Sequence, residues 1–336
     1  MERKAIIAGA GGMGKTWART LAENPRTKVV GWVDILPERV QKSIEALELV
    51  GVAAGQNLAK IIRDVEADFV LDATVPEAHC DVTVTALESG LNVLGEKPMA
   101  SSMAEARRMV KAAEESGKLY MVSQSRRYDP RITAYRTLVE RLGPLGILNA
   151  DFYIGAHFGG FRDEMPSPLL LDMAIHTFDA ARYISGADPV AVYCEEFNPE
   201  WSWYKGNACA NAIFEMSGGL RFCYRGSWCA EGRHTSWESE WRAVGPKGTA
   251  TWDGFGQPIG ELVKKTAGFH SEVEAVSESA AEGGAKGIAG ALEDFLDALE
   301  SGTVPLGECH DNIKSLAMVF GAIESSQKGL KAAISV

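Results

Sequence analysis

The sequence contains no apolar run long enough to cross a bilayer, and its first residues, Glu2-Arg3-Lys4, lead into a strand-like stretch without a signal-peptide pattern. Cysteine is sparse. Cys80, Cys194, Cys209, Cys223, Cys229 and Cys309 are scattered with no C-x-x-C pair, which argues against a disulfide framework and suits reduced thiols in a cytoplasmic protein. The triplets His79-Cys80-Asp81 and Cys309-His310-Asp311 have no second ligand cluster at a recognisable spacing, so no metal is expected. Positive charge is also in deficit: 34 Lys and Arg face 45 Asp and Glu, a formal net charge of −11. Nucleic acid and anionic membrane surfaces are therefore poor partners. The local cluster Arg126, Arg127 and Arg131 could still hold one small anion.

What is present is a soluble-type composition, 46% hydrophobic and 24% charged, in 336 residues, which is too long for one comfortable core and suits two domains. Over the first 125 or so residues, strand-like runs (KAIIAG, KVVGWVD, DFVLDAT, LNVLGEK, LYMVSQS) alternate with helical patterns such as MGKTWARTLAEN and SMAEARRMVKAAEESG. Fully apolar strands alternating with helices predict an α/β fold, with a parallel sheet covered on both faces. Beyond about residue 145 the rhythm changes to strands joined by short turns, with hairpin signals at Met216–Gly219 and Pro246–Gly248. The expected division is a dinucleotide-binding domain over 1–125 and, over 126–336, an α+β domain on a large, mainly antiparallel open sheet. Two helices close the chain and could pack back on the first domain. The small, acidic stretch SEVEAVSESAAEGGAKG reads as a surface loop.

IIAGAGGMGKTW places Gly9, Gly11 and Gly14 in G-x-G-x-x-G spacing, with Gly12 and Met13 between them, after the first strand and opening a helix. That context suits a pyrophosphate: the glycines allow a tight turn and close backbone approach, and the helix N-terminus offers unpaired N–H groups. The second strand ends on Asp34, twenty residues beyond Gly14, where a carboxylate accepts ribose hydroxyls and repels a 2′-phosphate. NAD is expected, with NADP the alternative. Glu96-Lys97-Pro98 follows another apolar strand, at the end where ligands bind in open α/β sheets, and the proline could make the Lys97–Pro98 bond cis. Within LLLDMAIHTFDAARYISG, the polar residues Asp172, His176, Asp179 and Tyr183 fall on one helical stripe, either a wet face or the lining of a site.

In combination, GAGGMG, Asp34, the P-x-x-H of TVPEAH, EKP and the D-x-x-x-H of LDMAIH resemble the glucose-fructose oxidoreductase / inositol dehydrogenase / rhizopine-catabolism (Gfo/Idh/MocA) family of sugar and cyclitol oxidoreductases. The resemblance implies an NAD(P)-dependent dehydrogenase in which Lys97 lies by the reacting hydroxyl, His176 is the general base and Asp172 orients it and contacts substrate. It also implies that Thr74, Pro76 and Glu96 lie at the cofactor, and that subunits pair as a homodimer or homotetramer through the open sheet. His79 reads equally as a cofactor neighbour or a packing residue, and His157 as a substrate ligand or an ordinary loop histidine. Ser167-Pro168 and Ala174 stand where many members have glycines, which alters the expected pocket wall. The aromatic group Trp201, Trp203, Trp228, Trp237, Trp241 and Trp252 is expected mostly at a subunit interface. The expected reaction is oxidation of a secondary hydroxyl on a sugar or cyclitol. Internally recycled NAD and a dinucleotide-sensing regulator are the alternatives.

Overall fold

In the computed structural model, which describes residues 2–266 and 268–336, the apolar runs of the first part form six strands: β1 (Arg3–Ala8), β2 (Thr27–Val33), β3 (Ala53–Gly55), β4 (Phe69–Asp72), β5 (Asn92–Gly95) and β6 (Tyr120–Val122). They pair in the order β3-β2-β1-β4-β5-β6, every pair parallel. Strands β4 and β5 are almost wholly buried, as expected for a sheet covered on both faces. The connecting helices are α1 (Gly12–Glu23), α2 (Pro37–Ala46), α3 (Leu58–Asp64), α4 (Pro76–Glu88) and α5 (Met103–Ser116). Proline opens α2 and α4, Ser102 caps α5, and Gly117 closes α5 in the left-handed region at φ 63°. The strand order reverses direction between β1 and β4, the switch point outside whose carboxyl ends nucleotides bind.

The chain divides by its contacts into two units, one of residues up to Ser125 with Ala285–Ile313, the other Arg126–Gly284 with Lys314–Val336. In the first unit a late helix of residues 287–301 packs Phe295 edge-on against Phe69 of β4 at 5.1 Å. Arg26 fastens the same helix through Glu293, Asp297 and Glu300.

The second unit holds a nine-stranded sheet built from β7 (Ile147–Tyr153), β8 (Pro189–Phe197), β9 (Cys209–Met216), β10 (Arg221–Ser227), β11 (Glu240–Gly245), β12 (Gly248–Trp252), β13 (Ile259–Lys265), β14 (Glu272–Ser277) and β15 (Ala332–Ala333). Its order is β14-β13-β12-β11-β7-β10-β9-β8-β15, and among the described residues only its β7–β10 pair is parallel. Two helices, α6 (Pro130–Glu140) and α7 (Ile175–Ser185), supply the core on one face. Tyr135 of α6 lies against Trp241 and Trp252, and Phe178 of α7 makes edge contacts with Phe214 and Tyr224. The opposite face presents Tyr193, Ile213 and the Asp151–Arg225 ion pair to solvent.

Three expectations are corrected. Trp228, Trp241 and Trp252 are at most 3% exposed within the single chain, so they are core residues rather than interface residues; only Trp201 and Trp237 of the group are strongly exposed. The acidic stretch expected as a loop begins with strand β14, because Val273, paired in register with Val263 of β13, extends the sheet edge although it is 45% exposed. Finally, the helix carrying Asp172 is not uniform. Leu169–Ala174 winds as a π-helix, and α-helical winding starts only at Ile175, so the polar stripe crosses a change of pitch.

Candidate active site

The nucleotide-binding turn is set by what glycine alone permits. Gly9 has φ +96°, and a Cβ there would lie 2.5 Å from the Ala73 carbonyl oxygen; a Cβ on Gly14 would collide with the carbonyl of Gly9. At Gly11 and Gly12 a Cβ would meet open space, which marks the side of the turn where a ligand can approach. Helix α1 begins at Gly12 with no side-chain cap and no acidic residue in its first turn. Its terminal N–H groups and positive dipole end are thus presented to an anion, and the residues fit the pyrophosphate of a dinucleotide. Met13 is 44% exposed on the same turn.

Asp34 closes the far side. One carboxylate oxygen accepts the Ala10 N–H at 2.6 Å and the other the Leu36 N–H at 2.9 Å, so the residue that would read the ribose also fixes the glycine turn. No sequence pattern singled out Asp72, which is fully buried and receives the Thr74 hydroxyl at 2.6 Å, the Thr74 N–H at 3.1 Å and the Thr83 hydroxyl at 3.3 Å. Thr74 and the start of α4 at Pro76 are held in this way at the carboxyl end of β4.

The Lys97–Pro98 peptide is cis. Two buried side chains hold this turn. The His79 ring, 2% exposed, reaches the Pro98 carbonyl from Nδ1 at 2.9 Å and the Thr74 carbonyl from Nε2 at 3.3 Å, joining the Thr74 loop to the lysine turn. Glu96 accepts the Trp17 indole N–H at 2.7 Å and the Lys97 N–H at 3.1 Å, and burial pushes its pKa up. Both residues are therefore placed as supports of the turn that carries Lys97.

In the second unit the π-helical turn carries Asp172 and the first turn of α7 carries His176. Asp172 accepts a hydrogen bond from Arg162 Nε at 2.6 Å, a partner the sequence reading missed because the two lie ten residues apart across an irregular turn. Asp179 is 1% exposed and receives Arg127 at 2.7 and 2.8 Å, with Ser315 adding a hydroxyl at 2.7 Å. It is a structural anchor. Tyr183 meets the Thr133 hydroxyl at 3.2 Å, and Arg136 covers its ring. The stripe thus divides: Asp179 and Tyr183 are tied into structural contacts, while Asp172 and His176 stand at its start.

His157 is 61% exposed at its side chain, stacks on Trp203 at 3.7 Å and pairs with Glu231 at 2.6 Å. Ala174 is fully buried and Ser167 is 6% exposed, donating to Glu196 at 3.2 Å. Both departures are thus packed within the second unit. Of the basic cluster, Arg127 is spent on Asp179 and Arg131 on Asp129. Arg126 differs: its Nη1 is buried with no hydrogen-bond partner among the described residues, and burial pushes its pKa down to about 10. Near the C-terminus, Glu308, Cys309 and His310 lie close together. The His310 ring bridges Glu308 at 2.8 Å and Glu114 at 3.0 Å, and these two carboxylates raise its pKa. No helix among the described residues is long and apolar enough to cross a membrane.

Comparison with known proteins bears on the family and the fold. The N-terminal model of the GFO/IDH/MocA oxidoreductases, described as an NAD-binding Rossmann fold, matches residues 3–124, and the C-terminal domain model of the same family matches residues 140–251. An uncharacterized protein of Sinorhizobium fredii is 28% identical across 98% of this chain and 95% of its own length. An inositol 2-dehydrogenase of Rhizobium meliloti is 26% identical, but the match spans only 55% of this chain and 56% of that enzyme. The crystal structure of an oxidoreductase from Agrobacterium radiobacter, in complex with NAD+, L-tartaric acid and magnesium, superposes with a TM-score of 0.85 over 99% of both chains at 21% identity, a likeness of fold. With both domain models matched in order, and the glycine turn, Asp34 and the six-stranded parallel sheet in place, the chain belongs to the GFO/IDH/MocA family of NAD-binding oxidoreductases.

Proposed function

We propose that the protein oxidises a secondary hydroxyl of a sugar or cyclitol with NAD, reversibly as a ketone reduction. The observation that carries this reading is the retention of Lys97 on a doubly supported turn of the nucleotide-binding unit, together with Asp172 and His176 at the head of one helix of the second unit. Family membership and the inositol dehydrogenase among the relatives support it. NAD, held by the glycine turn and Asp34, supplies the hydride acceptor. Lys97 holds the reacting hydroxyl and stabilises negative charge as it develops on that oxygen. His176 takes the hydroxyl proton, suited by a side chain that titrates near neutrality, and Asp172 keeps the imidazole oriented and favours its protonated form. Arg162 pairs with Asp172 from its Nε and steadies that carboxylate. The same reading places the protein in the cytoplasm as a homo-oligomer, paired through the sheet face that exposes Tyr193, Ile213 and Phe197.

The test is substitution of His176→Asn and Lys97→Met. Each should lower turnover by roughly 10²–10⁴-fold while NAD still binds. Full activity in either variant contradicts the assignment.

A further inference from the structure

The guanidinium of Arg162 is not explained by its bond to Asp172. Only Nε makes that bond, at 2.6 Å, and no further hydrogen bond from Arg162 is seen among the described residues. The two terminal amino groups, which form the end-on fork of the guanidinium and can grip a planar anion with two parallel bonds, remain available. The fork is also presented and oriented. Arg162 is 31% exposed at its side chain, and its charge lies 5.0 Å from the ring centre of Phe158 and 4.7 Å from that of Phe161. Both rings are more than half exposed, so this is an aromatic-flanked cation at the surface of a loop and not a buried strut.

The surrounding turn is rigid. The Lys205 N–H donates to the Asp163 carbonyl at 2.8 Å, the Asn207 N–H donates to that of Pro166 at 2.9 Å, and Gly206 is pressed so closely on Met165 and Pro166 that no side chain would fit there. Of the other carboxylates of the turn, Glu164 is held by Lys205, and Asp163 has its Oδ1 buried. A residue that served only as the counter-ion of Asp172 would gain from a two-point bond to that carboxylate. Arg162 instead spends its side edge on Asp172 and keeps its end.

We propose that Arg162 is a specificity-determining residue whose terminal fork binds a carboxylate of the substrate, so that the substrate is a polyhydroxy acid rather than a neutral polyol. This rests on the reading of Asp172 as a substrate-contacting residue. Held at Arg162, such an acid would offer its hydroxyls to the neighbouring Asp172.

The experiment compares D-gluconate with D-glucitol, and D-glucuronate with D-glucose, in wild type, R162Q and R162K. NADH formation and ligand-induced thermal shift of the NAD-bound protein are read separately. Wild type should prefer the acid of each pair by roughly 10- to 100-fold, the scale of a charge-assisted pair of hydrogen bonds. R162Q should lose that preference, R162K should keep a fraction of it, and neither should alter the response to the neutral partner to the same degree. Equal response to acid and neutral compound in wild type overturns the proposal, as does an equal loss on both in R162Q and R162K, which is what a counter-ion alone would give. Acid-selective thermal shifts that vanish in R162Q, without any turnover, would uphold the carboxylate site and remove the dehydrogenase reading. Turnover of neutral compounds without acid preference would do the reverse, and no response to any of the four overturns both.

Discussion

Glu196 shows how one half-buried group links the stability of the second unit to pH. It stands on β8 behind Ser167, with one oxygen taking the Ser167 hydroxyl and the other buried without a partner. Burial raises its pKa from the ordinary 4.5 to about 7. The folded protein therefore holds this proton more tightly than the unfolded chain. The associated stability is fully present below about pH 4.5 and is lost as pH rises through about 7. Thermal midpoints of wild type should accordingly fall over that window relative to those of Glu196→Gln, which stays neutral throughout. Parallel curves for the two proteins would place the titration elsewhere. At the same scale, Asp34 shows a residue with two tasks, since the carboxylate available to a ribose also takes the Ala10 and Leu36 N–H groups. Its spacing after Gly14 made it readable; the bonds that fix it did not, because they depend on where the backbone passes.

Among elements, the helix bearing His176 is the informative one. Its composition showed a polar stripe, but the stripe contains two kinds of residue that periodicity cannot separate. Asp172 and His176 remain partly exposed, whereas Asp179 is sealed against Arg127 and Ser315. The difference comes from partners 52 and 136 residues away in sequence, which no local pattern reports. The pair is doubly hydrogen-bonded and almost wholly buried, so removing one partner strands a charge. Asp179→Ala should cost about 3–5 kcal/mol, read as a lower urea midpoint, because the buried Arg127 guanidinium would lose its doubly bonded carboxylate. A change under about 1 kcal/mol would mean that water replaces the carboxylate without strain. The π-helical winding of Leu169–Ala174 was equally unreadable: Leu169 and Leu170 fit an α-helical core pattern as well as they fit the actual one. Strand β3 escaped notice for a simpler reason, since Ala53-Ala54-Gly55 carries no strand preference and is defined by its pairing to Gly31–Val33.

For the whole molecule, the fold class was legible because two rhythms divide the chain, and each rhythm implies its own kind of sheet. Apolar strands separated by helices gave the parallel sheet with its order reversing between β1 and β4; alternating strands with short turns gave the nine-stranded sheet. The aromatic residues misled at this scale. Trp228, Trp241 and Trp252 lie at the ends of or just beyond alternating strands, where one-residue parity decides between core and surface, and all three face the core. The central claim, an NAD-dependent oxidation of a polyhydroxy compound, is tested most directly by NADH formation on mixing the protein with inositols, aldoses and sugar acids, with NAD and NADP in parallel. The account predicts turnover of at least one compound, faster with NAD than with NADP because Asp34 repels a 2′-phosphate. Absence of turnover across the panel, with NAD still bound to the protein, would contradict it.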